Sequence, residues 1–203
     1  MLYSELQCSE AIRQAVERMG FAEMTEIQEK TIPVMLAGHD VIAKAPTGTG
    51  KTCAFGIPVA EHILPENKYP QAVIMAPTRE LAQQIAQELE ELTYFMPEVQ
   101  VACVYGGANM EKQAKRLAEG CQIVVATPGR LMDHYKHHNI DLSHVTQIVL
   151  DEADEMLNMG FYKDVRHIIE MMKARKSLSM FSATISREVM DIGWLYQHNA
   201  EEI

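Results

Sequence analysis

Six short apolar runs, often β-branched, recur along the 203 residues, with stretches of helical periodicity between them. They are Val41 to Ala45, Ala72 to Ala76, Gln100 to Tyr105, Gln122 to Ala126, Gln147 to Asp151 and Ser177 to Phe181. A strand that is apolar on both faces must be covered by helices on both sides of its sheet. The alternation therefore predicts an α/β fold over residues 1–203, a single domain with a central, mostly parallel sheet and helices on both faces. The intervening stretches carry readable helix faces. Ser9 is placed to cap a helix bearing Ile12, Ala15, Val16 and Met19 on one side, with Gly20 at its stop. Thr78 caps a longer one whose core face is Leu81, Ala82, Ile85, Ala86, Leu89 and Leu92, and Ser186 caps a last one through Val189 and Ile192.

Composition narrows the functional classes. No apolar stretch approaches the ~18 residues of a membrane span, and the N-terminus lacks the basic start and apolar run of a signal peptide, so a cytoplasmic protein without a membrane partner is expected. Cys8, Cys53, Cys103 and Cys121 are scattered, which predicts reduced, mostly buried thiols and no zinc site. A formal net charge of −10 argues against non-specific adhesion to nucleic acid; any such site must be local, built from a few arginines and backbone amides. The run His134 to Asn139 reads as a solvated helix end and loop.

The first apolar run leads directly into Ala45-Pro46-Thr47-Gly48-Thr49-Gly50-Lys51-Thr52. Apart from alanine in place of the first glycine, this is the P-loop pattern. Its glycines let backbone N–H groups curl around phosphates, Lys51 reaches the β and γ phosphates, and the Thr52 hydroxyl holds Mg²⁺. The expected ligand is a nucleoside triphosphate with Mg²⁺, ATP on the resemblance described next, held by Ala45, Thr47, Gly48, Thr49, Gly50, Lys51 and Thr52. In open parallel sheets ligands bind beyond the carboxyl ends of the strands. After the fifth run stands Asp151-Glu152-Ala153-Asp154. An acid there can hold Mg²⁺ and its neighbour can polarise the attacking water, so Asp151 is assigned to the metal and Glu152 to the water. Acids at the start of a helix also favour its dipole, the alternative reading.

With these residues in view, the chain resembles the N-terminal RecA-like domain of the DEAD-box ATP-dependent RNA helicases over essentially its full length. Asp151 to Asp154 matches the name-giving motif, and alanine at position 45 is the family's usual first P-loop residue. Further matches are Pro77-Thr78-Arg79-Glu80-Leu81-Ala82, Gly106-Gly107, Thr127-Pro128-Gly129-Arg130, Ser182-Ala183-Thr184 and the upstream Gly20 to Gln28. Residues 1–29 correspond to the family's adenine-reading segment. The resemblance implies that Phe21 stacks on adenine, that Thr25 and Gln28 belong to the same site, and that Tyr3 supports it. The Gln28 amide carries the donor and acceptor that adenine's edge requires. Met24 stands where the family has proline.

The resemblance also implies an RNA-backbone surface of Thr78, Arg79, Gly106, Gly107, Thr127 and Arg130, with Thr78 and Thr127 as hydroxyl caps at helix starts. Such contacts bind single-stranded or short duplex RNA by phosphate and sugar, without reading sequence. Taken singly, each of these residues is equally a cap or a turn. Ser182 and Thr184 are implied to bond Asp154 and couple the ATP site to movement of a second RecA-like domain. That domain is not within these residues, so a fragment of a longer, monomeric helicase is expected, binding nucleotide with little turnover. The alternative is a stand-alone nucleotide-dependent RNA-binding or adaptor module.

Overall fold

The computed structural model describes every residue except Thr47 and Thr49. Its strands are β1 (Val41–Lys44), β2 (Ala72–Met75), β3 (Val101–Val104), β4 (Ile123–Ala126), β5 (Gln147–Asp151), β6 (Ser177–Ser182) and β7 (Glu201–Glu202). They form one sheet in the order β3-β4-β2-β5-β6-β1-β7, and every pair is parallel. The first six lie on the predicted runs, with β5 identical, β6 a residue longer and the rest shorter at their ends. The seventh strand has no apolar signature, because Glu201 and Glu202 are exposed. Backbone bonds hold it, with Glu201 N donating to Asp40 O at 2.9 Å and Ile203 N to Ile42 O at 3.0 Å, and the Ile203 side chain just beyond packs against the core.

Two apolar layers sandwich the sheet. On one side pack α1 (Glu10–Arg18), α2 (Glu26–Leu36), α3 (Lys51–Glu61) and α4 (Arg79–Leu92). Ile12, Ile32, Phe55, Ile85 and Leu89 there meet Ile74, Val125, Val149 and Phe181 of the strands. On the other lie α5 (Met110–Ala118), α6 (Pro128–Lys136), the single turn α7 (Ala153–Met156), α8 (Tyr162–Met171) and α9 (Arg187–Tyr196). Leu117, Leu131, Val165, Ile168 and Val189 face Val73, Met75, Val124, Ile148 and Met180 from that side. Neighbouring strand residues such as Val73 and Ile74 thus enter opposite layers, as the two-residue period of a strand requires.

The helix ends follow the expected chemistry with two exceptions. Thr78 Oγ1 accepts from Leu81 N at 3.2 Å and Ser186 Oγ from Val189 N at 3.3 Å, both true side-chain caps. Gly20 closes α1 at φ +85°, a conformation open to glycine without strain. Ser9 occupies the cap position of α1 but makes no capping bond; its amide instead donates to both Glu61 carboxylate oxygens at 3.1 Å. Thr127 likewise precedes α6 without a side-chain cap. A third correction concerns the histidine run: His137 and His138 are exposed, but His134 is completely buried. The four cysteines are free thiols, Cys53 and Cys121 buried, Cys8 and Cys103 only partly so.

At the amino edge of the sheet, buried amides and one carboxylate tie the loops down. Gln122 Oε1 accepts from Gln100 N at 2.8 Å while its Nε2 donates to Pro65 O and Glu98 O, both at 2.9 Å. Asp40 accepts from Leu178 N at 3.0 Å on one oxygen and from His198 N at 2.8 Å on the other. These contacts fasten the loops of that edge to one another.

Candidate nucleotide and nucleic-acid site

At the carboxyl edge, β6 separates β1 from β5, with Lys44 opposite Ser182 and Asp151 opposite Phe181. This register carries the segment after β1 towards the acids that end β5. Ala45 is buried, and its N donates to Ser182 O at 2.9 Å. Gly48 and Gly50 both turn through positive φ, +85° and +79°. At Gly50 a side chain is excluded twice, since a Cβ would also stand 2.6 Å from Gln28 Nε2. Lys51 opens α3 and is 5% exposed, its Nζ 3.0 Å from Asp151 Oδ1 and 3.5 Å from Glu152 Oε1. Thr52 follows, partly buried at the second position of the helix. The expected contributions of Thr47 and Thr49 lie outside the described residues.

Asp151 is wholly buried. Its Oδ1 takes Lys51 and, at 2.9 Å, the amide of Glu152. Its Oδ2 has no hydrogen-bond partner among the described residues. Burial pushes the carboxyl above its ordinary pKa, against the pull of Lys51 and the Glu152 amide. A buried carboxylate oxygen with nothing donating to it among the described residues is suited to a hard divalent cation, and the hydroxyl of Thr52, next to Lys51 in the chain, is the right type of second ligand. The donor set therefore fits Mg²⁺. Glu152 sits at φ 48°, ψ 51°, a left-handed conformation that costs a non-glycine residue about 1–3 kcal/mol. Such strain collects where a side chain must be aimed, here beside the Lys51–Asp151 pair.

The N-terminal segment folds onto the phosphate loop. Thr25 and Gln28 form a reciprocal capping box on α2, with Thr25 N donating to Gln28 Oε1 at 3.0 Å. The Tyr3 hydroxyl also donates to that oxygen, and Gln28 Nε2 donates to Gly50 O at 3.0 Å. Both ends of the Gln28 amide are thus engaged, and the amide is bonded to the phosphate loop itself. Phe21 is exposed and stacks on buried Tyr3, ring centroids 6.4 Å apart. A cleft of about 360 Å³ runs between α2 and the loop, lined by residues that include Thr25 and Ala45. A wider one of about 870 Å³ lies outside β7 against α9; among the described residues it contains none of the predicted site. Chemistry marks the site, not cleft size.

The third acid of the β5 end looks the other way. Thr184 donates to Asp154 Oδ2 from both its hydroxyl, at 2.7 Å, and its amide, at 3.0 Å. Asp154 N donates in turn to Ser182 Oγ at 3.1 Å. Burial opposes ionisation, but the bonds from Thr184, the Glu155 amide and Ser182 prevail and hold the Asp154 carboxyl below its ordinary value.

The other half of the edge, β3-β4-β2, brings the expected RNA residues side by side. Arg79 is exposed, its guanidinium 4.9 Å from the centre of the Tyr105 ring. Gln83 Nε2 holds the Tyr105 hydroxyl at 2.9 Å. Gly106 and Gly107 are exposed, with Gly107 at φ +85°. Arg130 differs from expectation. Its side chain is 13% exposed, and Nη1 donates to Ala108 O at 3.0 Å and Gln113 Oε1 at 3.1 Å, so it braces the glycine loop instead of projecting from it. Thr127 is buried at the start of α6, its amide bonded to Val104 O at 3.1 Å. Tyr105, Gln113 and His134 escape the sequence reading. The signal for Gln113 was available: Gln113 and Leu117, four apart, are the buried residues of α5, so an amide stands on its core stripe.

A DEAD/DEAH box helicase family profile matches residues 25–192. The ATP-dependent RNA helicase CshA of Limosilactobacillus reuteri is 47% identical over 203 residues, covering 100% of this chain and 41% of that protein. The ATP-dependent RNA helicase DeaD of Mycobacterium tuberculosis is 40% identical over 201 residues, 99% of this chain and 36% of its own length. Among solved structures, a DEAD box protein from the hyperthermophile Methanococcus jannaschii aligns with TM-score 0.92 at 40% identity, over 100% of this chain and 55% of that one. A hypothetical ATP-dependent RNA helicase from Sulfolobus tokodaii gives 0.89 at 42%, over 96% and 56%. The chain spans about two-fifths of the length of the curated relatives it matches.

Proposed function

Because this chain belongs to the DEAD/DEAH box helicase family, we propose that it is the ATP- and RNA-binding half of an ATP-dependent RNA helicase. The observation that carries the reading is the buried Lys51–Asp151 pair with Glu152 beside it and, among the described residues, nothing bonded to Asp151 Oδ2. Lys51 meets the β and γ phosphates, backbone amides of the loop from Ala45 to Thr52 cradle them, and Asp151 with Thr52 holds Mg²⁺. Mg²⁺, when bound, neutralises charge on the phosphate being transferred. Glu152 orients the attacking water and accepts its proton.

Phe21, Thr25 and Gln28 select adenine, for which the Gln28 amide must exchange at least one of its present partners. Thr78, Arg79, Gly106, Gly107 and Thr127 bind RNA phosphates and sugars without regard to sequence, and Arg130 acts behind them. Asp154, Ser182 and Thr184 couple the two functions to a second RecA-like domain of a longer parent. Arginines supplied in trans are worth roughly 10³–10⁵ in rate in related P-loop enzymes, so this chain alone binds nucleotide and turns it over slowly. Among the described residues no helix is long and apolar enough to cross a membrane. A monomer working in the cytoplasm is the reading we adopt.

Calorimetric titration with ADP and with GDP, both with Mg²⁺, tests the assignment. ADP is expected to bind and GDP hardly at all, while Gln28→Ala weakens ADP more than it weakens pyrophosphate, which feels only the lost bond to Gly50 O. Equal binding of the two nucleotides, or equal losses for ADP and pyrophosphate, removes Gln28 from the adenine.

A further inference from the structure

His134 is wholly buried, yet both its ring nitrogens are used. Nε2 lies 2.9 Å from Gln113 Oε1, and Nδ1 lies 3.1 Å from Asn139 Nδ2. Gln113 Oε1 can only accept and Asn139 Nδ2 can only donate, so the ring is a single neutral tautomer with its proton on Nε2. Burial first, then the Arg130 charge, hold the imidazole below its ordinary pKa; Asp133 pulls the other way and His137 with Arg130. Gln113 is in turn the hub. Its Oε1 collects His134 and Arg130, and its Nε2 donates to Tyr105 O at 3.0 Å, while Arg130 reaches past it to Ala108 O. The amide cannot be turned over, since an Nε2 in the oxygen's place would confront the Arg130 guanidinium and an oxygen in the nitrogen's place would confront Tyr105 O.

The Tyr105-to-Ala108 loop, with Gly106 and Gly107 at its tip, is thereby held at both ends from beneath. Gln83 holds the Tyr105 hydroxyl and Arg79 stacks on the ring. A loop with two glycines has little conformational preference of its own, so its position must be supplied by what grips it. We infer that Gln113, oriented by His134, is a positioning residue that sets the Gly106-Gly107 loop for RNA backbone contact. This deepens the RNA-binding reading above and rests on it.

The test compares Gln113→Glu, His134→Leu and His134→Gln with the unaltered chain. The Glu variant keeps shape and acceptor but removes the one donor to Tyr105 O. His134→Gln keeps a donor towards Gln113, and His134→Leu does not. Affinity for a short fluorescein-labelled oligouridine is read by anisotropy, affinity for ADP by calorimetry, and hydrogen exchange at the Gly106 and Gly107 amides by NMR. Gln113→Glu and His134→Leu are expected to weaken RNA about tenfold, the effect of roughly one hydrogen bond, and to speed loop exchange. ADP affinity stays within about twofold on the same scale, and His134→Gln restores most of the RNA affinity. Unchanged RNA affinity in Gln113→Glu overturns the proposal, as do parallel losses of RNA and ADP, which would mark general damage to the fold. Equal loss in His134→Gln and His134→Leu overturns the part given to the histidine donor. If the unaltered chain binds ADP but no RNA, the RNA reading itself fails and the positioning role falls with it.

Discussion

Asp40 and Asp151 are both buried aspartates at strand ends, one at the amino edge of the sheet and one at the carboxyl edge. Asp40 receives a backbone amide on each oxygen, from Leu178 and His198. Asp151 has a lysine and an amide crowded on one oxygen and nothing on the other among the described residues. The first is finished by the fold. The second is left open on one oxygen, and the metal role proposed for Asp151 rests on that difference and not on burial, which is nearly the same for both.

Substitutions can break this contrast, beginning with the largest effect. Lys51→Ala is expected to abolish nucleotide binding, a loss of at least about a hundredfold for a charged contact to phosphate, with the circular dichroism of the fold unchanged. Retained ATP affinity in a titration would refute the loop's role. Next, Asp40→Ala orphans two backbone amides and should destabilise the chain by about 2–4 kcal/mol in urea unfolding without touching ADP affinity. Asp151→Asn should also cost stability, by about 3 kcal/mol, because it leaves the Lys51 charge buried with only Glu152 near it, but unlike the Asp40 change it should also end the strengthening of nucleotide binding by Mg²⁺. If both aspartates behaved alike in the two assays, the distinction would be empty. Glu152→Gly should release a left-handed glutamate, a gain of about 1 kcal/mol, and give up its contact with Lys51, so the apo chain should change little in urea unfolding; a large loss of stability would show that the contact outweighs any strain.

The smallest effect is in pH. Asp154 is held below its ordinary value, so its bonds to the 182–184 turn contribute fully above about pH 4 and fade as the pH falls through the folded-state pKa. Thermal melts on descending pH should therefore fall less steeply for Thr184→Val than for the unaltered chain.

The parts of this molecule written in side-chain type were legible in advance. Strand cores such as Ile148-Val149-Leu150 and caps such as Thr78 and Ser186 announce themselves, because burial and capping select particular side chains. The meeting of Lys51 with the acids after β5 was equally plain, since a lysine in the P-loop spacing follows one strand and the acids close another at the same edge of the sheet. Strand β7 was not, because its place depends on backbone bonds to Asp40 and Ile42 that any residue could make. The histidine run misled for a related reason: His137 and His138 are exposed and His134 is buried, and only the rotation of α6 against α5 distinguishes them. Arg130 has the charge for a phosphate contact, yet whether an arginine faces outward or braces a loop is decided by its neighbours Gln113 and Ala108, not by its identity.

The end of β6 touches everything at once. Ser182 gives its carbonyl to the amide of Ala45 at the root of the phosphate loop, and its hydroxyl to the amide of Asp154. The first of these bonds is pure main chain. On the nucleotide-binding reading proposed above, a displacement of the loop by bound phosphate would be handed to β6 by a rod with no rotamers to absorb it, and the first step of that path would be one that side-chain substitution can scarcely interrupt.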